Sequence, residues 1–348
     1  EVSDLVDKKK DYTGLLSEME ALKEEGNYET IDQRLADTLP VNMDVDLVLA
    51  KLYGLYAEAG YKLRKKDRKR YADLAAEFYQ ANGLYVNSAK ILWAYHEYCR
   101  DEWLDWEESY HTLERIRNEY KGNGLEEDTV FQLKLLLDEA IDLMALEEYT
   151  TAHQKLKCAI KLANKTNIYY QMDNIYRIAA NEALRNNDGE EYLRLLKKSE
   201  QYAVFTENEA SIKVMPLLRA MYHNMIKYEH ASAMAELEQY SAEGMFLDPL
   251  YHLEMGRTLF GLGRIEEALI SLSQVKLVDY LIHPIDIAML QSAGIYRALC
   301  YEQMGREEEA LKEIDHAEKQ LRRMPKSIYY QHAVKVKKRL AEKKGTDD

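Results

Sequence analysis

The composition of this 348-residue chain excludes several classes of protein before any motif is considered. It has only 15 glycines and 5 prolines, so helix breakers are too scarce for most β architectures. Its 47% hydrophobic content is too high for a disordered chain. The formal net charge of −14 repels nucleic acid and anionic membranes. We therefore predict a mostly helical protein that, as a whole, does not bind DNA.

The N-terminal segment is too polar for a signal peptide, and no run of the chain approaches the roughly 18 to 20 apolar residues that span a bilayer. We therefore expect a cytoplasmic protein without membrane contact. The three cysteines, Cys99, Cys158 and Cys300, are far apart in apolar or aromatic helical patterns. That spacing indicates neither a disulfide framework nor a metal site.

Turn signals recur along the chain about every forty residues, each between two amphipathic helical patterns. This period predicts helical hairpins, because a repeated turn at fixed spacing is the mark of a repeat architecture. The predicted hairpin turns lie near residues 26, 66, 103, 147, 187, 226, 263 and 305.

The clearest hairpin, residues 251–275, resembles the tetratricopeptide (TPR) repeat. Gly256 provides a small contact point between two helices, Gly263 the turn, Ala268 the small residue of the second helix, and Leu272 the large apolar one. Small residues allow two helices to approach closely, and glycine permits the tight reversal. A second copy spans residues 292–317, with its turn at Gly305.

These repeats predict an all-α fold, a right-handed α-superhelix (solenoid) of about eight TPR-like hairpins that forms a single domain over residues 1–348. The last pattern, at about 327–344, is typical of a capping helix. Four prolines punctuate the hairpins, and Pro216 is expected early in a first helix, where proline is tolerated.

No motif for catalysis or cofactor binding is present. The chain contains no HExxH, nucleophile elbow, phosphate-binding loop or dinucleotide fingerprint. Pairs of acids follow the turns, where they favour the helix dipole. We therefore expect no enzymatic activity, no cofactor and no metal.

The concave surface of such a superhelix is lined by the first helix of each hairpin and predicts a binding groove. Amides that donate and accept hydrogen bonds suit the backbone of an extended peptide, and guanidinium groups suit a carboxylate. The candidate peptide-binding residues are Asn174, Arg177, Asn181, His223, Asn224, Leu253, Arg257, Tyr98 and Ile141.

The segment 62–70 is strongly basic. A cluster of cations at a turn is most simply a solvated surface, and this is the interpretation that we favour. An acidic protein partner or nucleic acid is the alternative ligand for such a run.

The forty-residue period, the acidic composition and the amide-lined groove together resemble the RRNPP family of peptide-pheromone receptors, which includes the Rap and NprR proteins. Residues 281–325, with His283 and Pro284 in a loop before the final repeat, look most like the NprR branch. The resemblance implies a quorum-sensing receptor that binds a short imported signalling peptide, changes conformation or oligomeric state (dimer or tetramer), and controls transcription and sporulation.

In this family some members carry an N-terminal helix-turn-helix domain, and Rap-type members act on a response regulator. The chain begins at Glu1 without a helix-turn-helix signature, so the resemblance implies that a DNA-binding domain precedes it in the native protein. Two other interpretations stay open: a generic TPR scaffold for a protein partner, and the small-molecule sensor of a MalT-like transcription activator.

Overall fold

The computed structural model describes residues 12–40, 44–240 and 248–344, and every regular element within these ranges is a helix. The chain divides into two compact units, residues 1–142 and 143–348, called here the first and second unit. Within each unit, helices pack mainly on their neighbours in sequence, which is the packing of a helical solenoid. The predicted all-α fold class is confirmed.

The first unit consists of hairpins whose helices bury one apolar face each. Residues of its first four helices share a core around Met19, Ile31 and Leu52, all of which are fully buried. Its helices are α1 (Thr13–Glu24), α2 (Tyr28–Thr38), α3 (Leu47–Lys62), α4 (Lys69–Ala81), α5 (Tyr85–Asp101), α6 (Trp106–Tyr120) and α7 (Thr129–Ala145), the last of which extends to the start of the second unit.

The second unit continues the same pattern. The segment that contains His283 and Pro284 was expected to be a loop, but Pro284 begins a short helix, because the fixed φ of proline suits the first helical position. The helices are α8 (Tyr149–Thr166), α9 (Met172–Arg185), α10 (Gly189–Phe205), α11 (Glu209–Tyr222), α12 (His230–Glu238), α13 (Asp248–Gly261), α14 (Ile265–Ser273), α15 (Pro284–Gln291), α16 (Ala293–Gln303), α17 (Glu307–Leu321) and α18 (Ile328–Lys344).

The turn of each hairpin contains a residue with left-handed backbone. At Gly263 and Gly305 the φ angles are 74° and 72°, which glycine adopts without steric cost. The left-handed residues of the eight hairpin turns are Gly26, Arg64, Leu104, Glu147, Asn187, Tyr228, Gly263 and Gly305.

The contact between α13 and α14 depends on the absence of a side chain at Gly256. A Cβ atom at this position would lie 2.4 Å from Cγ of Leu272, which is fully buried. The two helices therefore pack at a distance that only glycine permits.

The expected position of Pro216 was wrong. Pro216 lies in the interior of α11, where it has no N–H to complete the helical hydrogen bond of its turn. The helix is followed by a π-helical turn, His223–Lys227, which ends at the left-handed Tyr228. Local periodicity did not predict either feature.

No helix in the described ranges is long and apolar enough to cross a bilayer.

Candidate functional site

The second unit contains a groove cavity of about 460 Å³, within the usual size range of ligand pockets. We call it the amide groove. It lies between α9, α10 and α11 on one side and α13, α15 and α18 on the other. Its lining residues are Asn174, Arg177, Asn181, Tyr192, Leu196, Asn208, Ala210, Ser211, Val214, Leu218, Met221, Leu250, Leu281, Ile285, Asp286, Met289, Leu290 and Tyr329.

Three of the predicted site residues line the amide groove together. Asn174, Arg177 and Asn181 recur at helical spacing along α9 and are all half-buried. The opposite face of α9, which includes the fully buried Ile175 and the buried Ala179, packs into the core. The amphipathic pattern of α9 therefore places its amides and its guanidinium group in the groove.

The hydrogen bonds of these three side chains leave donors and acceptors for a ligand. Arg177 Nη2 donates to Oδ1 of Asn174 at 3.0 Å, which orients both groups. Arg177 forms no ion pair with any residue that the structure describes, and the Asn181 amide has no partner there. An unpaired guanidinium group and a free amide are suited to a carboxylate and a peptide bond respectively.

A second polar wall is fixed by the buried carboxylate of Asp173. Its Oδ2 accepts hydrogen bonds from Asn208 Nδ2 at 2.8 Å and from Ser211 Oγ at 2.7 Å. Asn208 also caps α11, since its Oδ1 accepts from the backbone N–H of Ser211. The network holds the first turn of α11 against α9, and both Asn208 and Ser211 line the groove as a result.

The far wall is mostly aliphatic and carries one acid. Leu281, Ile285 and Met289 are half-buried, and Asp286 lies beside them on α15. Within the described ranges Asp286 has no ion-pair partner. The groove therefore contains an unpaired cation, Arg177, an unpaired anion, Asp286, and apolar surface between them.

Four other predicted site residues of the second unit have no part in the amide groove. Leu253 is fully buried, and Arg257 and Asn224 are almost fully buried. His223 lies at the start of the π-helical turn, with Nδ1 at 3.2 Å from the carboxylate of Glu229. The sequence predicted that these four residues line the same groove as the α9 residues. The structure places them elsewhere.

Asn224 instead belongs to a buried hydrogen-bond network. Its Nδ2 donates to Glu254 Oε2 at 2.9 Å and to Thr258 Oγ1 at 3.0 Å, while its Oδ1 lies 3.2 Å from Nδ1 of His230. Arg257 donates to the same carboxylate, Glu254 Oε1, at 2.6 Å. These pairs compensate the buried carboxylate of Glu254 and the buried amide of Asn224.

Asn224 and Arg257 also line a separate cavity of about 530 Å³ in the second unit, which we call the second cavity. Four aromatic residues contribute to its wall, and one of them, Tyr329, lines both this cavity and the amide groove.

The remaining two predicted site residues belong to the first unit. Tyr98 packs against Tyr61 with 5.2 Å between ring centroids, and its buried hydroxyl has no hydrogen-bond partner in the described ranges. Ile141 lies half-buried on α7.

The basic segment 62–70 is used within the first unit. Arg68 donates to Asp32 at 3.0 Å and lies 4.5 Å from the ring centre of Tyr56. Three lysines also lie over aromatic rings, which is an attractive contact for a cation. They are Lys62 over Tyr98, Lys66 over Trp103 and Lys69 over Tyr95. Five of the seven cations are exposed, and only Arg68 and Lys69 are half-buried, so the run is largely a solvated surface whose side chains also contact the first unit.

One buried cluster of the first unit contains the residue types of a hydrolase triad but not its geometry. The hydroxyl of Ser109 lies between the other two groups, 2.8 Å from His96 Nδ1 and 2.6 Å from Asp142 Oδ2. In a triad the histidine lies between the acid and the nucleophile. All three residues are fully buried, so this cluster is a polar part of the core.

Sequence reasoning missed Asn208, Ser211 and Asp286. Asn208 is a residue type that is preferred at helix N-caps, but nothing local indicates that this cap lies beside α9. Asp286 lies two residues after Pro284, in a segment for which no groove residue was predicted. In the described ranges no group of three or more His, Cys, Asp or Glu residues is arranged to hold a metal ion.

Comparison of the sequence with known proteins gives no relationship: no family model matches the chain, and no curated protein is significantly similar to it.

Proposed function

We propose that the second unit binds a short peptide in the amide groove and that this chain is the sensor of a peptide signal. The observation that carries the proposal is the arrangement of Asn174, Arg177 and Asn181 on one face of α9, opposite the aliphatic wall of α15. Amides pair with peptide bonds, and the aliphatic wall accepts apolar side chains.

The two unpaired charges of the groove favour a peptide with free ends or charged side chains. Arg177 is the partner that we propose for a carboxylate, and Asp286 for an ammonium group. An ion pair inside a partly enclosed groove is stronger than one in water, because fewer solvent dipoles screen it.

Binding would be transmitted through the packing of the helices. Six helices supply the walls of the amide groove, so a ligand that contacts several of them favours one arrangement over others by its difference in affinity. We propose that the resulting change in conformation or oligomeric state controls transcription, as the resemblance to peptide-pheromone receptors implies.

The test is calorimetric titration of the full chain with hepta- to decapeptides of secreted type, each made with free ends, with an acetylated N-terminus and with an amidated C-terminus. Asn181→Ala is expected to weaken binding about tenfold, with Asn186→Ala, at the exposed end of the same helix, as the matched control. Asp286→Asn should remove the preference for peptides with a free N-terminus. Arg177→Gln should remove the preference for peptides with a free or acidic C-terminal end.

Light scattering and small-angle X-ray scattering of the same samples measure the proposed response. If no peptide of the panel binds, or if binding is unaffected by all three groove variants, the proposal is wrong. A complex that forms only with a folded protein would favour a generic scaffold instead.

A further inference from the structure

The second cavity is chemically different from the amide groove. Its wall contains four aromatic residues and two histidines, and no aspartate or glutamate lines it. Phe260 and Tyr296 meet edge to face with 6.0 Å between their centroids, and Tyr296 meets His332 in the same way at 5.8 Å. These rings form an apolar wall for a flat group.

A buried arginine, Arg257, lines the second cavity next to these rings. Arg257 is 2% exposed, and its guanidinium carbon lies 5.2 Å from the ring centre of Tyr296. Glu254 and Ser292 accept hydrogen bonds from its terminal nitrogens at 2.6 and 2.7 Å, but its buried Nε has no partner in the described part of the chain. A buried donor without an acceptor is rare in folded proteins and marks a position where a ligand oxygen or water is favoured.

The charge of the second cavity is positive. Glu254 balances Arg257, and Glu182 pairs with Arg185 at 2.7 Å. Lys335, exposed on α18, has no ion-pair partner among the described residues. Burial lowers the pKa of His332 to about 4 and also lowers the pKa of His230, so both rings are uncharged at neutral pH. Lys335 is therefore the cation that a ligand can neutralise.

We propose that the second cavity is a separate binding site for an aromatic carboxylate, with Lys335 as the charge partner and the rings of Phe260 and Tyr296 as the apolar contact. This site is independent of the peptide proposed for the amide groove. The same chemistry is found in a free aromatic acid and in a peptide that ends in an aromatic residue.

The probe is N-acetyl-L-phenylalanine, with its carboxamide as the uncharged control, titrated into the full chain and followed by ligand-observed NMR. We expect the acid to bind about fivefold more tightly than the amide. Lys335→Gln should abolish this preference, whereas Lys338→Gln, an exposed lysine on the same helix that pairs with Glu342, should retain it. Equal binding of acid and amide, or an unchanged preference in Lys335→Gln, would overturn the proposal.

Two further variants separate this site from the amide groove and from misfolding. Leu299→Trp fills the second cavity and should remove binding of both the acid and the carboxamide. The melting temperature of this variant shows whether it is folded. If it is not folded, the comparison of Lys335→Gln with Lys338→Gln decides the question. Asn181→Ala lies in the amide groove and should bind N-acetyl-L-phenylalanine as the wild type does. Loss of probe binding in Asn181→Ala would place the probe in the amide groove and would contradict the proposal.

A pentapeptide that ends in phenylalanine, as free acid and as amide, distinguishes the two sources of the ligand. Tighter binding of the peptide acid than of N-acetyl-L-phenylalanine supports a peptide C-terminus as the occupant. Binding of the small acid alone supports a free aromatic acid.

Discussion

The carboxylate of Glu147 accepts a hydrogen bond from the backbone N–H of Lys326 at 2.8 Å, although the two residues are 179 positions apart. The first turn of the second unit thus contacts the loop before its last helix. The Lys326 ammonium group adds weaker contacts to the carbonyl of Glu147, at 3.4 Å, and to the carboxylate of Glu148, at 3.5 Å. Most other contacts of the second unit join neighbouring hairpins, so this one links its two ends.

Glu147→Ala is expected to lower the free energy of unfolding by about 1–3 kcal/mol, because the N–H of Lys326 then lacks its acceptor. Chemical denaturation measures the change. The matched control is Glu148→Ala, which removes only an exposed ion pair and should change stability by less than about 0.5 kcal/mol. Equal effects of the two substitutions would show that the contact to the Lys326 N–H contributes no stability.

The second prediction concerns Gly256. Gly256→Ala places a methyl group 2.4 Å from Cγ of Leu272, and the resulting overpacking should cost about 1–3 kcal/mol of unfolding free energy. Gly14→Ala is the control, since no atom lies near its Cβ position in α1, and alanine should stabilise that helix by about 0.5 kcal/mol.

A double-mutant cycle with Leu272→Ala tests whether the cost arises from this one contact. Alanine at position 272 removes the Cγ atom that the new methyl group would meet, so the two changes together should cost less than their sum by at least about 0.5 kcal/mol. Strict additivity would place the cost of Gly256→Ala elsewhere.

The sequence predicted the features that depend on local chemistry. Turns such as Gly263 and Gly305 were found because only a few residue types adopt left-handed backbone easily. The groove face of α9 followed from helical periodicity, which places Asn174, Arg177 and Asn181 together.

Features that depend on distant partners were not predictable in this way. Arg257 has the spacing of a groove residue, but it is buried, and Ser292, which lies between α15 and α16, accepts one of its hydrogen bonds. Asp286 lines the amide groove because α15, the helix that contains it, forms one wall of the groove. No local signal in the sequence predicts where α15 packs. The rotation of a helix against its neighbours decides which of its residues face the groove and which are buried in the core. That rotation is set by tertiary contacts.

The third prediction concerns the pH dependence of stability. Burial raises the pKa of Asp142 to about 8, from 3.8 in an exposed aspartate, although Ser109 and Arg100 favour its charged form. The uncharged acid is favoured in the folded state, so its contribution to stability is complete at low pH. That contribution is lost as the pH rises from about 4 to about 8, by at most about 1.4 kcal/mol per pH unit.

Asp142→Asn removes this titration and keeps a hydrogen-bond partner for Ser109. Between pH 5 and pH 8 the wild type should therefore lose more unfolding free energy than the variant. Urea denaturation of both proteins at both pH values measures this difference. Burial also lowers the pKa of His96 to about 3, so both proteins should lose stability as the pH falls below about 6.5. If the stability difference between the two proteins is the same at both pH values, Asp142 is charged in the folded state.

The fourth prediction tests whether the basic segment 62–70 stabilises the first unit. Asp32 is 3% exposed and accepts hydrogen bonds from Arg68 and Lys65. Arg68→Ala removes one of these donors and the guanidinium group over the ring of Tyr56, and leaves the carboxylate less compensated. We expect a loss of about 1–3 kcal/mol in unfolding free energy.

Arg70→Ala is the matched control, because Arg70 is exposed and forms no ion pair with the described residues; it should change stability by less than about 0.5 kcal/mol. Equal stability of the two variants would show that this cation is not required for packing, and the alternative that the run is a surface for an acidic partner would then gain support.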